Sequence, residues 1–321
     1  MTRRLIAERV LPKLTNSLLA PLADSAVLSG VTGRIAFTTD AFVVQPLEFP
    51  GGDIGRLAVC GTVNDLAVMG ATPKALSLAL VLEEGLPLDV LDRVIDSIAR
   101  AAREADVVVA AGDTKVVEHR RGDGMIVTTA GLGVMREGVE ISPRRVGPED
   151  VILISGRIAD HGLAVMSARE GLAFETVLLS DVAPLGTLAA AAFASGADVK
   201  FMRDPTRGGL AGVAADLAEE TGLSIELDET AIPLSRSARH TAEVLGLDPL
   251  TVANEGKIVA VTAEQDAPAL LDAWRAHPLG REAAVIGRFV EASPPLVELL
   301  TRAGGRRIVQ RPYGEELPRI C

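Results

Sequence analysis

Apolar and polar positions along this chain follow two periods, and the switches between them mark out strands and helices. Ile35 to Val44 is β-branched and partly aromatic and reads as a strand; Pro50 to Gly52 form a Pro-Gly-Gly loop, and an apolar helix follows over Ile54 to Met69. Ala75 to Leu82 predicts a second strand. Leu88 to Glu104 puts Leu91, Val94, Ile95, Ile98 and Ala102 at the spacing of one helix face, with an acidic first turn and Arg100 and Arg103 near its end, as the helix dipole favours. Val107 to Ala111 predicts a buried strand that runs into a Gly112-Asp113-Thr114-Lys115 loop, and Met125 to Val134 another strand. Ser142 to Pro148 carries two prolines and a glycine and reads as a linker.

The alternation then resumes. Val151 to Ser155 predicts a strand and Gly156 to Gly162 a loop. A helix follows Gly208-Gly209 with Leu210, Val213, Ala214 and Leu217 on one face, and Ser224 to Leu227, Lys257 to Thr262 and Ala283 to Ile286 predict strands. Pro312, Gly314 and Pro318 interrupt any element near the end, which predicts a semi-extended arm. The expected organisation is two α/β domains, residues 1–146 and 147–304, and a mobile tail, 305–321, that ends on Cys321.

Composition narrows the class. With 321 residues, 48% apolar and 23% charged, the chain supplies two hydrophobic cores. No apolar run approaches the roughly 18 residues that span a bilayer. The Met1-Thr2-Arg3-Arg4 start leads into an amphipathic segment rather than a signal sequence, so no membrane and a cytoplasmic location are expected. Two cysteines, Cys60 in an apolar stretch and Cys321, make neither a disulfide framework nor a metal cluster. A net charge of −11 argues against nucleic acid as a partner, which needs clustered cations. Residues 302–321 carry five arginines and two glutamates, a local +3 that leaves −14 for the rest, so the arm is drawn to its own body.

The chemistry sits at strand ends and loops. Asp40, Asp65, Asp113 and Asp204 each interrupt an apolar neighbourhood, where a carboxylate is costly unless a cation or strong donors compensate it. Converging carboxylates suit Mg²⁺ carrying a nucleotide polyphosphate, although Asp also serves as a cap or turn residue. There is no G-x-x-x-x-G-K-[ST], and Gly131-Leu132-Gly133 lacks the third glycine of a dinucleotide fingerprint, so a bound nucleotide needs another architecture. Gly208 and Gly209 at a helix start suit close approach to phosphate, or plain turn formation. Lys115 and Glu255 suit a proton-transfer pair or two surface charges. His161 suits a phosphate donor or a loop residue. A thiol on the last residue reads as a chemical handle.

Together these motifs resemble the HypE family of hydrogenase maturation factors. The segments that carry the resemblance are Thr38-Thr39-Asp40, Phe49-Pro50-Gly51-Gly52-Asp53-Ile54-Gly55, Cys60-Gly61-Thr62-Val63-Asn64-Asp65-Leu66 and Gly112-Asp113-Thr114-Lys115-Val116-Val117. Asp160-His161-Gly162, Arg203-Asp204-Pro205-Thr206-Arg207-Gly208-Gly209, Asn254-Glu255-Gly256-Lys257 and Pro318-Arg319-Ile320-Cys321 extend it nearly end to end. The family shares a superfamily with aminoimidazole ribonucleotide synthetase (PurM), selenophosphate synthetase and thiamine monophosphate kinase, ATP users without a Walker loop.

The resemblance implies a two-domain PurM-like α/β (α+β) fold, a homodimer through the first domains, and ATP with Mg²⁺. It implies that the carbamoyl transferase HypF loads the Cys321 thiol. ATP-dependent dehydration then turns the thiocarbamate into a protein thiocyanate that passes to the HypC-HypD complex. Asp40, Asp65, Asp113 and Asp204 would hold metal and phosphates; Asn64, Thr114, His161, Thr206, Arg207, Gly208 and Gly209 would line the nucleotide; Glu255 would be the base, with Lys115 beside it. Arg319 would favour the thiolate, and the tail would exchange between docked and exposed states. The family's glycine-rich N-terminal segment does not precede the first helix here, which leads to an expectation of weak ATP binding or a site completed by another chain. A superfamily enzyme acting on a free small molecule and a non-catalytic thiol carrier are the rival readings.

Overall fold

The computed structural model describes residues 5–19, 25–28, 30, 32–172, 178–311 and 320–321. The first domain is built on a four-stranded sheet ordered β1-β6-β4-β5, from β1 (Ile35–Phe42), β4 (Ala71–Glu83), β5 (Val108–Val117) and β6 (Met125–Met135). β6 runs antiparallel to β1 and β4, and β5 parallel to β4. A two-strand ribbon, β2 (Glu48–Phe49) with β3 (Gly52–Asp53), leads into α2 (Ile54–Val68), which follows the short N-terminal helix α1 (Leu11–Leu14). Asp53 starts α2 by accepting from the N–H groups of Gly55 and Arg56 at 2.8 and 3.0 Å. α2 is apolar almost all round, as a helix covered on every side must be. It lies on the sheet, and α3 (Leu88–Glu104) covers it, burying Leu91, Val94, Ile95 and Ile98. A Cβ on Gly55 would sit 2.6 Å from the Val94 carbonyl oxygen, so glycine permits that crossing.

The second domain has a seven-stranded sheet ordered β13-β12-β9-β11-β7-β10-β8, antiparallel except for β12 with β9. Its strands are β7 (Val151–Ile154), β8 (Val199–Arg203), β9 (Ser224–Asp228), β10 (Val259–Thr262), β11 (Ala284–Val290), β12 (Val297–Leu300) and β13 (Arg306–Ile308). Along β7, Ile152 and Ile154 enter one core while Val151 and Leu153 enter another, so the sheet is covered on both faces. One core takes α4 (Asp160–Arg169), α6 (Gly209–Thr221) and α7 (Arg236–Leu245), and the other α5 (Gly186–Ala194) and α8 (Ala267–Ala276). That double cover is why these strands are continuous apolar runs.

Three expectations change. Gly112 to Lys115 is part of β5, paired in parallel with Leu78 to Val81, not a loop after a shorter strand. As the last strand of its sheet, β5 keeps the ladder while Asp113, Lys115 and Val116 face outward, so polarity there marked an edge rather than an end. His161 and Gly162 lie in the first turn of α4 instead of a loop. Arg306 to Ile308 form edge strand β13 and Val309 is buried, so chain expected in the tail belongs to the second sheet. Pro312, Gly314, Pro318 and Arg319 lie outside the described residues.

The domains meet along α2. Its last turn, Ala67 and Val68, joins the α5/α8 core, while Val165, Val182, Ala253 and Ile320 join the first domain's core. Asn64 pins the seam: its amide donates to the carbonyls of Ala183 and Glu255 at 3.1 and 3.3 Å and accepts from Leu185 N–H at 2.7 Å.

Candidate functional site

The site is built where β1 and α2 face the segments 203–209 and 253–257. Thr38 and Asp40 are two apart on β1, and Thr62 and Asp65 three apart on α2, so each pair shares a face. Thr38 donates to Asp65 at 2.8 Å and Thr62 to Asp40 at 3.1 Å. Asp204 follows the end of β8, and Glu255 sits in the loop before β10; both are buried. Burial and the Asp40 charge push Asp65 up to about 6, and burial with the Asp65 charge pushes Asp204 up to about 7. Burial raises Glu255 well above the usual carboxylate range, with the charges of Asp204, Asp181, Asp40 and Asp65 adding to it. Among the described residues Oε1 of Glu255 is buried without a hydrogen-bond partner, and Oε2 lies 4.0 Å from where Gly61 would carry a Cβ.

Cys321 comes to this cluster. It packs half-buried against the first core, and its thiol is pushed up to about 12 by burial and then by the Glu255 charge, with the Arg207 guanidinium opposing. Ile320 beside it is buried. Its carbonyl accepts from Nε2–H of His161 at 3.0 Å, while Ser180 Oγ–H donates to Nδ1 at 2.8 Å. The His161 ring meets the edge of Phe49 with centroids 5.4 Å apart, and burial lowers its pKa, so it stays neutral.

The sequence-predicted residues sort themselves accordingly. Asp40, Asp65, Asp204, Arg207, Glu255 and Cys321 are brought together, with Thr206 at the margin in the loop ahead of α6. Asp113 and Lys115 are not: exposed on β5, they pair with each other at 3.7 Å. Two strands separate β5 from β1, roughly 14 Å at the usual strand spacing, so within one chain Lys115 does not stand beside Glu255 nor Asp113 with the other aspartates. Thr114, between them, turns its side chain into the buried face. Asn64 spends its amide on the backbone of Ala183, Leu185 and Glu255. His161 spends its Nε2–H on the Ile320 carbonyl. Gly209, at φ +60°, would put a Cβ 2.5 Å from the carbonyl oxygens of Leu250 and Val252, and Ala211 N–H already donates to Leu250 at 2.8 Å. Gly209 therefore serves close packing at the start of α6, and Gly208 before it takes a left-handed φ of +75°.

Among the described residues no three His, Cys, Asp or Glu side chains stand in metal-ligating geometry. The donor set nonetheless suits a hard cation, because Asp40, Asp65 and Asp204 repel one another and offer only oxygen. Sequence reading missed Thr38, Thr62, Ser180 and Asp181 as partners. Thr38 and Thr62 carried a signal in their same-face spacing with the aspartates, whereas Ser180-Asp181 looks like any cap or turn. Among the described residues no helix is long and apolar enough to cross a membrane.

Two stacked α/β domains with a carboxylate cluster at their seam define an aminoimidazole ribonucleotide synthetase-related protein. The family models for the N- and C-terminal domains of AIR synthase related proteins match residues 22–135 and 147–295. The chain belongs to the HypE family of carbamoyl dehydratases. It is 48% identical to carbamoyl dehydratase HypE of Azotobacter vinelandii over 99% of this chain and 93% of that one. It matches a crystal structure of hydrogenase maturation protein HypE in complex with ATP at a TM-score of 0.95 and 42% identity, covering 99% of this chain and 96% of that one. It also matches a HypE-HypF complex structure at 0.84 and 44%, covering 96% and 99%.

Proposed function

We propose that this chain uses ATP to dehydrate a carbamoyl group carried on its own Cys321, giving a protein thiocyanate for [NiFe]-hydrogenase maturation. The observation that carries this reading is the arrival of Cys321 beside the buried, unpartnered carboxyl of Glu255 and the Arg207 guanidinium. A resting thiol gains nothing from such a place: burial keeps it protonated and unreactive there. A neutral S-carbamoyl group carries no such penalty, and its N–H protons give the orphaned Glu255 oxygen a partner.

The order of events follows from this. Cys321 is loaded away from the pocket, where its thiolate forms, and HypF is the proposed donor, as the HypE-HypF complex of a relative supports. The tail then docks through Ile320 and His161. ATP supplies the phosphoryl group that lets the carbamoyl oxygen leave as phosphate, which breaks the C–O bond while nitrogen gives up two protons and C≡N forms. Glu255 takes a proton from nitrogen. Its carboxylate must be present to do so; Asp40, Asp65 and Asp204 would hold a cation, whose charge would favour that form by offsetting theirs. Arg207 orients the loaded sulfur. Mg²⁺ is the proposed cation, and HypC-HypD the proposed recipient.

Asp113 and Lys115 act only if the β5 edge meets a second copy, which the exposed Phe37, Val108 and Val116 on the two edge strands of that sheet support. An intact-mass time course on protein mixed with HypF, carbamoyl phosphate and Mg-ATP tests the reading: a carbamoyl gain, then loss of one water, both absent in Cys321→Ala. Turnover of a free small molecule by Cys321→Ala would favour the rival enzyme.

A further inference from the structure

Residues 178–185 lead into α5 and pass between the two halves of the site. Ser180 and Asp181 are consecutive there, yet they serve different partners. The hydroxyl of Ser180 accepts from Val182 N–H at 3.1 Å, which leaves its proton for Nδ1 of His161 at 2.8 Å. That bond leaves Nε2 as the protonated nitrogen and aims it at the Ile320 carbonyl, 3.0 Å away. Asp181 Oδ1 accepts from Glu255 N–H at 3.1 Å, and Oδ2 pairs with Lys257 Nζ at 3.0 Å. Lys257 Nζ also reaches the Gly256 carbonyl at 3.1 Å, closing a clamp around the Glu255 peptide.

The backbone is equally confined. Ser180 N–H donates to the Pro50 carbonyl at 2.8 Å, and a Cβ on Gly51 would lie 2.7 Å from Ser180 N. A Cβ on Gly256 would lie 1.8 Å from the Asp181 carbonyl oxygen. The dipeptide thus touches the loop before α2, the helix that carries His161, and the loop that carries Glu255. One peptide bond joins them, so the holds on His161 and on Glu255 spring from a single backbone segment.

We propose that Ser180-Asp181 is a positioning element that holds the tail-gripping His161 and the carboxyl-bearing Glu255 in one fixed register, so that the last residue is delivered to the base. This rests on the reading that Cys321 carries the substrate. Neither side chain acts on the reacting atoms; each works through a neighbour. A mismatch of about 1 Å between base and substrate costs on the order of a hundredfold in rate, which is what such a register prevents.

Two measurements on the full-length chain separate the halves of the proposal. The first is alkylation of Cys321 by iodoacetamide without nucleotide, read by peptide mass so that the buried Cys60 is distinguished. Ser180→Ala is expected to speed it about tenfold, because the His161 Nδ1 loses its partner. Ser180→Thr, which keeps the hydroxyl, restores protection, and Asp181→Asn leaves alkylation near the wild-type rate. Ser180→Ala combined with His161→Ala speeds alkylation no more than His161→Ala alone. The second is the rate of water loss from protein carbamoylated by HypF, which Asp181→Asn is expected to slow about tenfold while carbamoylation proceeds normally. Full additivity of Ser180→Ala with His161→Ala, or unchanged alkylation in Ser180→Ala, overturns the Ser180 half. Wild-type dehydration by Asp181→Asn overturns the other half. Wild-type protein that keeps its carbamoyl oxygen overturns the dehydratase reading itself, and the alkylation arm still decides the role of Ser180.

Discussion

Glu255 and Asp204 are carboxyl groups kept in a place where water is scarce and like charges are near, and that placement sets their behaviour. Glu255→Gln preserves shape and removes the proposed base, so carbamoylation should proceed while water loss falls by 10²-fold or more, read by intact mass. Asp204 gives a stability signature. Its folded pKa of about 7 lies above the ordinary 3.8, so the folded state binds the extra proton between those values. The stability contributed by that proton is full below about pH 4 and is lost as pH rises toward 7, by up to about 1.4 kcal/mol per pH unit. Denaturant titrations of wild type and Asp204→Asn across this window should differ by that slope, and parallel curves would contradict it.

These residues were legible as charges interrupting apolar sequence, since burying a carboxylate needs a reason. The same signal at Asp113 and Lys115 led elsewhere, to an exposed sheet edge away from the cluster within this chain. A polar residue in apolar sequence reports a cost avoided or compensated, and sequence alone does not say which. His161 was legible as unusual, but its partners lie 19 and 159 residues away, beyond any local pattern.

Among the elements, α3 matches the sequence prediction end to end because one amphipathic face decides it. β5 was read too short because an edge strand lacks the second apolar face that marks β7 and β10. The glycines at the start of α6 were read for phosphate or for a plain turn, and crowding by Leu250 and Val252 gives Gly209 a packing reason of its own. Gly209→Ala should therefore destabilise the fold by about 3 kcal/mol or more, seen as a lower Tm with or without nucleotide. A drop confined to nucleotide-saturated protein would restore the phosphate reading.

For the whole molecule, the seam between domains matters because it brings Cys321, Glu255 and the aspartate cluster together. Ile320 anchors the tail by burial, worth roughly 2 kcal/mol for a side chain of its size. Ile320→Ala should shift docking toward the free state by about tenfold or more. Cys321 would then alkylate faster and accept carbamoyl normally, while dehydration slows. Equal alkylation rates in the two proteins would show that Ile320 does not hold the tail. Two α/β units were readable from alternating strand and helix patterns. Their packing along α2 was not, because an all-round apolar helix does not reveal which neighbours cover it.

The decisive measurement follows the intact mass of carbamoylated protein after Mg-ATP is added, beside Glu255→Gln and Ile320→Ala. Loss of one water from Cys321 in the wild type, delayed in both variants, is expected. A carbamoyl group that persists on wild-type Cys321, or is lost equally fast when Glu255 is gone, would contradict delivery of the terminal sulfur to a buried base.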